Sequence, residues 1–495
     1  MPGPPTAAEQ QPGTELGSES AWLCASCLGS LGLFGNNLFQ LAACHLLARG
    51  CGLKLLIPSN FKYHYLFQHS DLWEGVAPDI AHSTDLPLII DRVVMSHVGF
   101  RAWATTTATY KSIAQHLNGS SASGLSGRQL RREFPQISAE DLALIPPTAC
   151  TSCTQPHAPS CVAEPGVAAL RLRLAGCGAW GWFQFHTSHL APHREELREV
   201  LSVRADLTAR LHVALSLALR LCCPRARRLV VVHLRLLDFT HLQQPSAAAH
   251  DAAAPDATAA ASAGPPSGPG LGFFRAEPPF EEGQRCQAHW DSTAGLNFST
   301  PVAWLVNWLD DIGFWVDDDA LWLCTDDPEL AKRPMVGHVQ ALSWQHVLRV
   351  HTHIRAQGGG SCDVASGGCS GGSGPACDPG SSDEAHGGGG GGGRGGRVTA
   401  ACDDDEDVRQ LLFGLAVAAE EPLLADWFTM QEADVLAISN STFSFTAAML
   451  GKRGAVCYRP QPATRGLAVF DAWNATPLLP TGPTPDNHSF SRTGS

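Results

Sequence analysis

Short apolar runs alternate with segments of helical period along much of the chain. Residues 21–28 and 54–57 have the length and apolarity of strands, and between them 38–49 repeats apolar residues at helical spacing behind a glycine-rich turn. Further along, 229–234 is a β-branched run suited to a buried strand, and 304–308 reads as helix. Residues 320–325, 434–439 and 455–458 read as strands, with 445–450 helical between the last two. This alternation predicts an α/β protein with parallel sheets. A break near 221–228 divides it into two facing units, whose ligands should lie outside the carboxyl ends of the strands.

Several stretches interrupt the pattern. Residues 243–270 are dominated by Ala, Pro, Gly and Ser, and 357–396 contain seven consecutive glycines, Gly387 to Gly393. Neither offers enough apolar surface to offset the entropy of ordering it, so both are expected as disordered insertions. Residues 118–165 are loop-rich. The expected organisation is a disordered start over 1–20, one unit over 21–221, a second over 222–465, and a tail over 466–495.

A chain of 495 residues with 44% hydrophobic content has material for two cores. Its net charge of −13 argues against a general nucleic-acid binder but leaves room for an anionic ligand held by local arginines and backbone N–H groups. Of the 17 cysteines, Cys44, Cys222, Cys223, Cys324 and Cys457 lie in apolar runs, where a buried thiol acts as a small hydrophobe. The pairs Cys24/Cys27 and Cys150/Cys153 are too far apart in sequence to resemble a zinc ribbon, and no metal is expected. Residues 1–20 show no secretory pattern, and Gly29, Gly32, Gly35, Asn36, Asn37 and Gln40 break up the apolar stretch 21–48, so no membrane span is expected. Sequons at Asn118, Asn297, Asn474 and Asn487 are compatible with a lumenal location, and a cytoplasmic one stays open.

Four constellations could carry chemistry. In 32–37, glycines and Asn36 precede a helix, where a tight backbone can approach an anion or a sugar, or can simply turn. His233 and Arg235 end a strand two residues apart and so project to one side. The guanidinium suits phosphate oxygens, and the alternative is a strand end paired with Asp238. After 320–325 come Asp326 and Asp327 ahead of Pro328, as helix caps or as carboxylates for a nucleotide hydroxyl or base edge. Finally Asp426 precedes the strand 434–439 and the turn 440–444, where Ser441, Thr442 and Phe443 gather hydroxyls and N–H groups at a helix start, as a phosphate cradle or an ordinary cap.

The order of these motifs resembles the α-1,2-fucosyltransferase family within the wider superfamily of α-1,6- and protein O-fucosyltransferases. The segments are Gly35-Asn36-Asn37-Leu38-Phe39-Gln40, His233-Leu234-Arg235, Thr325 to Ala331, and the run Ser439 to Ser444, which is the most specific. The resemblance spans about 29–460 outside the insertions. The chain departs from it at Leu236 and Leu237, where a second arginine and a glycine are usual, at Asn37 for a common glutamine, and at Phe445-Thr446 for paired tryptophans.

The resemblance implies a GT-B fold of two Rossmann-like domains and an inverting, metal-independent transfer of fucose from GDP-fucose to a glycan hydroxyl, galactose O-2 first among them. It implies that Arg235 holds the β-phosphate and neutralises the leaving diphosphate, and that His233 meets the guanosine. Ser441, Thr442 and the Phe443 backbone would hold the diphosphate, Asp426 the guanine, and Gly35 and Asn36 would close over the donor. Asp326 and Asp327 stand as further donor-side candidates, and Asp238 as the candidate base. The resemblance also implies a Golgi or secretory lumen, with a glycan or glycoprotein acceptor. Rival expectations are a protein O-fucosyltransferase, a GDP-sugar-binding protein without activity, and a metal-dependent transferase using the acidic cluster 317–319.

Overall fold

The computed structural model describes residues 21–29, 32–81, 86–91, 135–147, 164–235, 300–358 and 405–479. Asp238, Cys150, Cys153, Asn118, Asn297, Asn487, the insertion 243–270 and nearly all of 357–396 lie outside them. Two sheets organise the chain. The first is six-stranded in the order β3 (Glu74–Val76), β2 (Lys54–Pro58), β1 (Trp22–Cys24), β6 (Cys177–Trp180), β4 (Leu88–Asp91), β5 (Gln136–Ile137), with every pairing parallel. The second is five-stranded, ordered β13 (Gly466–Val469), β12 (Val456–Gln461), β11 (Val435–Ala437), β7 (Arg228–Leu234), β8 (Asp319–Thr325). It is parallel except for the antiparallel edge pair β12–β13, and a separate antiparallel pair, β9 (Met335–Val336) and β10 (Val339–Gln340), stands between β8 and β11 in the chain.

Burial explains the apolar runs. β7 hides every residue after Arg228 and β8 all but its last, as strands covered on both faces must. Helix α1 (Phe34–Gly50) is buried nearly all round, because it packs both on β1 and β2 and against helix α2 (Thr442–Leu450), which follows β11. Phe34 meets Trp427 and Phe443 edge-on, with centroids 5.4 and 6.2 Å apart, so the aromatic core runs from one sheet unit into the other.

Several boundaries differ from the sequence expectation. The first strand stops at Cys24, and 26–29 turn. Helix α1 begins at Phe34 rather than 38, so Gly35 and Asn36 stand on its first turn. Asp426 lies inside a helix, Pro422–Gln431, that precedes the strand. Helix α2 starts at Thr442, which shortens the turn to 439–441. Residues 466–479, expected as part of a tail, supply the edge strand and a segment reaching back to the first sheet unit. Cys222 is exposed and Cys223 half-exposed, unlike the buried Cys44, Cys324 and Cys457. The nine described cysteines are all free thiols.

Candidate functional site

Each sheet has one place where successive connections leave in opposite directions. In the second sheet it lies between β7 and β11, and in the first between β1 and β6. Crevices outside the carboxyl ends of strands at such points are where open α/β sheets hold ligands. Beyond β7 comes Arg235, and beyond β11 come Ser439, Asn440 and Ser441. Arg235 Nη1 donates to Ser441 Oγ at 3.2 Å, spanning the crevice. The same guanidinium has Asp326 Oδ2 at 3.9 Å from Nε, and its side chain is 16% exposed.

Ser441 is the N-cap of α2: its Oγ accepts from the Phe443 N–H at 3.3 Å, so capping and the contact with Arg235 share one hydroxyl. His233 is enclosed. Its Nδ1 and Ser439 Oγ share a hydrogen bond of 2.7 Å, and its ring lies 5.6 Å from that of Phe443. Burial, reinforced by Arg235, pushes its pKa down to about 3, so the imidazole is neutral and fixes the turn. Its position is beneath the crevice, supporting Ser439.

The carboxylates divide. Asp327 caps the helix Pro328–Lys332, accepting from the Glu329 and Leu330 N–H groups at 2.8 and 3.1 Å, which commits it to structure. Asp326 is the one beside Arg235. Asp426 retains partial exposure as a residue, but protein crowds its carboxyl, and burial pushes the pKa up to about 8 against a downward pull from Cys324. The Cys324 thiol donates to the Asp426 carbonyl at 3.6 Å, placing Asp426 beside the carboxyl end of β8, near Thr325 and Asp326. In the acidic cluster 317–319, Asp319 forms a bidentate pair with Arg228 at 2.8 and 2.7 Å and accepts from the Trp315 N–H. That pair sits at the opposite end of β7 and β8 from Arg235. Among the described residues no group of His, Cys, Asp and Glu is arranged to hold a metal ion.

From the first sheet unit, Asn36 reaches across. Its Oδ1 accepts from Thr442 Oγ1 at 2.8 Å and from Gln184 Nε2 at 2.7 Å. A Cβ on Gly35 would stand 2.4 Å from Phe443 N and 2.5 Å from the Thr442 carbonyl carbon, so only glycine lets the starts of α1 and α2 meet this closely. Gln40 donates to the Gly181 carbonyl at 3.0 Å, and Asp91 accepts the Phe183 N–H at 2.6 Å, fixing the segment beyond β6. Gln184, Asp91 and Trp182 are absent from the sequence reading. Gln184 is marked by its contact with Asn36 across 148 positions, and Asp91 by accepting the Phe183 N–H.

Arg235, Asp326, Ser441, Thr442, Phe443, Gly35 and Asn36 are therefore brought to one region, with His233 beneath it, Asp327 turned to its helix and Asp426 beside Cys324 near the end of β8. No protein-family model matches the chain, and no curated protein matches it. No helix among the described residues is long and apolar enough to cross a membrane.

Proposed function

We propose that the protein is a glycosyltransferase of GT-B type that takes a nucleoside-diphosphate sugar, GDP-fucose by its motif resemblance, and transfers the sugar to a glycan hydroxyl. The observation that carries this reading is Arg235 laid on the capping hydroxyl of α2, at the carboxyl ends of β7 and β11. A helix N-terminus with a guanidinium beside it suits a diphosphate: the dipole, the N–H groups and the fixed cation all favour negative charge. In transfer, the acceptor hydroxyl oxygen forms a bond to the anomeric carbon as the bond to the β-phosphate oxygen breaks, and the hydroxyl proton passes to a base, for which Asp238 is the candidate. The charge that develops on the leaving GDP is met by Arg235 and the start of α2. Asp426, when ionised, would accept the guanine N1–H and exocyclic amine. The resemblance implies that no metal is needed, so activity should survive EDTA.

Calorimetry with GDP tests the reading. Micromolar binding by the wild type and a loss of about 10- to 100-fold in Arg235→Ala are expected, since a charge-assisted hydrogen bond is worth about 1.5–3 kcal/mol. Wild-type affinity in the variant refutes the phosphate assignment. A second reading, GDP-sugar binding without transfer, is favoured by Leu236 where the resembled family has a second arginine. Binding of GDP with no transfer across a panel of acceptors would select it.

A further inference from the structure

Two thiols meet where β1 ends. Cys27 stands on the turn after that strand and Cys44 in the middle of α1, and both are 0% exposed within one hydrophobic core. Their side chains are hydrogen-bonded to each other, and this contact, with burial, pushes the Cys44 thiol well up. The neighbouring thiols are occupied elsewhere. Cys24 lies in β1 next to Leu23, and strand alternation turns it to a separate cluster with Leu56, Ala81 and Leu86, where it bonds Ser26. Cys177 donates to the Arg173 carbonyl at 3.3 Å and Cys324 to the Asp426 carbonyl at 3.6 Å. The chain between Cys27 and Cys44 carries Gly35 and Asn36, which meet α2, and no side chain caps the start of α1 within it.

We infer that Cys27 and Cys44 join as a disulfide when the chain folds against an oxidising thiol couple, closing the loop that carries Gly35 and Asn36. The inference goes beyond the transferase reading and does not depend on it. Thiols already in contact need only a small side-chain rotation to reach bonding distance, so the fold accepts the bond without moving its backbone. The oxidant is a small disulfide such as oxidised glutathione. One protein thiol loses its proton and attacks a glutathione sulfur, and the first glutathione leaves as a thiolate that takes up a proton. The other protein thiol attacks the mixed disulfide and releases the second glutathione, so two protein thiols are oxidised while one glutathione disulfide is reduced to two thiols. Both sulfurs are sealed in the finished core, so this exchange belongs to folding, before the core closes, and the closed core then shields the bond from reductants. In a reducing compartment the pair stays as two thiols. The cross-link restricts the unfolded chain and fixes both ends of the segment bearing Asn36.

The test is refolding of the full chain in reduced and oxidised glutathione. Free thiols are alkylated with iodoacetamide in denaturant, and chymotryptic peptides, cut after Phe34 and Phe39 so that the two cysteines separate, are mapped without reduction. A Cys27–Cys44 peptide pair that dithiothreitol separates is expected. The oxidised protein should melt about 5 °C above the protein refolded in dithiothreitol and exchange the amide hydrogens of 32–37 more slowly. Cys27→Ala and Cys44→Ala should each abolish the peptide pair and the Tm difference. Alkylation of both cysteines in the oxidised wild type, or a bond from either to another cysteine, overturns the inference, and that map needs no variant to fold. A Tm difference that persists in both variants also overturns it.

Discussion

Thr442 donates its hydroxyl to Asn36 Oδ1 at 2.8 Å, joining the first turns of two helices 406 positions apart. The bond is partly buried and lies where the two sheet units meet, so it should couple them energetically. A double-mutant cycle with Asn36→Ala and Thr442→Val is expected to give an interaction energy of about 0.5–1.5 kcal/mol in denaturant unfolding. Additivity within about 0.3 kcal/mol would show that the two units do not communicate through this pair.

Gly35 sits on a helix, where alanine would ordinarily stabilise by about 1 kcal/mol. Here the added Cβ meets the backbone of Thr442 and Phe443 at 2.4–2.5 Å, and backbone cannot swing aside as a flexible side-chain end can. Gly35→Ala is therefore expected to destabilise by about 1–3 kcal/mol, as overpacking does, and to weaken GDP binding by displacing the start of α2. A variant more stable than wild type would mean that the helix contact is looser than described.

Asp426 predicts a pH signature. Its folded-state pKa, near 8, lies above the usual carboxylate range, so between the two the folded protein holds a proton that the unfolded chain has lost. That contribution to stability is complete below the unfolded value and disappears as pH rises through about 8. Asp426→Asn should flatten this part of the stability profile and gain on wild type at alkaline pH. If the ionised carboxylate reads guanine, wild-type GDP affinity should rise with pH up to about 8 with proton release on binding, and the Asn variant should lose both. Calorimetry in buffers of differing ionisation enthalpy measures the released protons. No release at neutral pH argues against the guanine contact.

Much of this architecture was legible in the chain, for reasons that differ by element. The run Leu229 to Leu234 reads as a buried strand because burial on both faces demands an uninterrupted apolar sequence, and β7 provides it. The helix cap within Ser439 to Ser444 is legible because capping chemistry is local: a serine hydroxyl serves an N–H two residues away. The start of α1 at Phe34 was hidden, because nothing near it in sequence caps the helix. It is held by Phe34 against Tyr63 and Trp427 and by Gly35 against α2, all of them tertiary contacts. Gln184 and Asp91 carry no local pattern, since their partners are Asn36 and the backbone of Phe183. Cys222 looks apolar by its neighbours, but it ends the helix Ala205–Cys222, whose buried residues stop at Ala218.

The segment 471–479 makes a final prediction. Asn440, the residue before Ser441, donates its Nδ2 to the Leu479 carbonyl at 3.0 Å and accepts the Leu479 N–H at 2.8 Å. Arg459 holds the Thr476 carbonyl at 2.8 Å, and Thr187, from the first sheet unit, pairs with both the N–H and the carbonyl of Ala475. This strap therefore runs from the candidate phosphate turn to the other unit. Asn440→Ala would leave two part-buried backbone groups of Leu479 without their partner, at about 1–3 kcal/mol, whereas Thr187→Val removes the hydroxyl but keeps the backbone bond to Ala475. Asn440→Ala is expected to lower Tm and weaken GDP binding, because the turn carrying Ser441 loses its anchor. Thr187→Val should lower Tm less and leave GDP affinity unchanged, since it loosens the far end of the strap. Equal losses of GDP affinity in the two variants would show that the strap acts on the cleft as a whole and not on the turn.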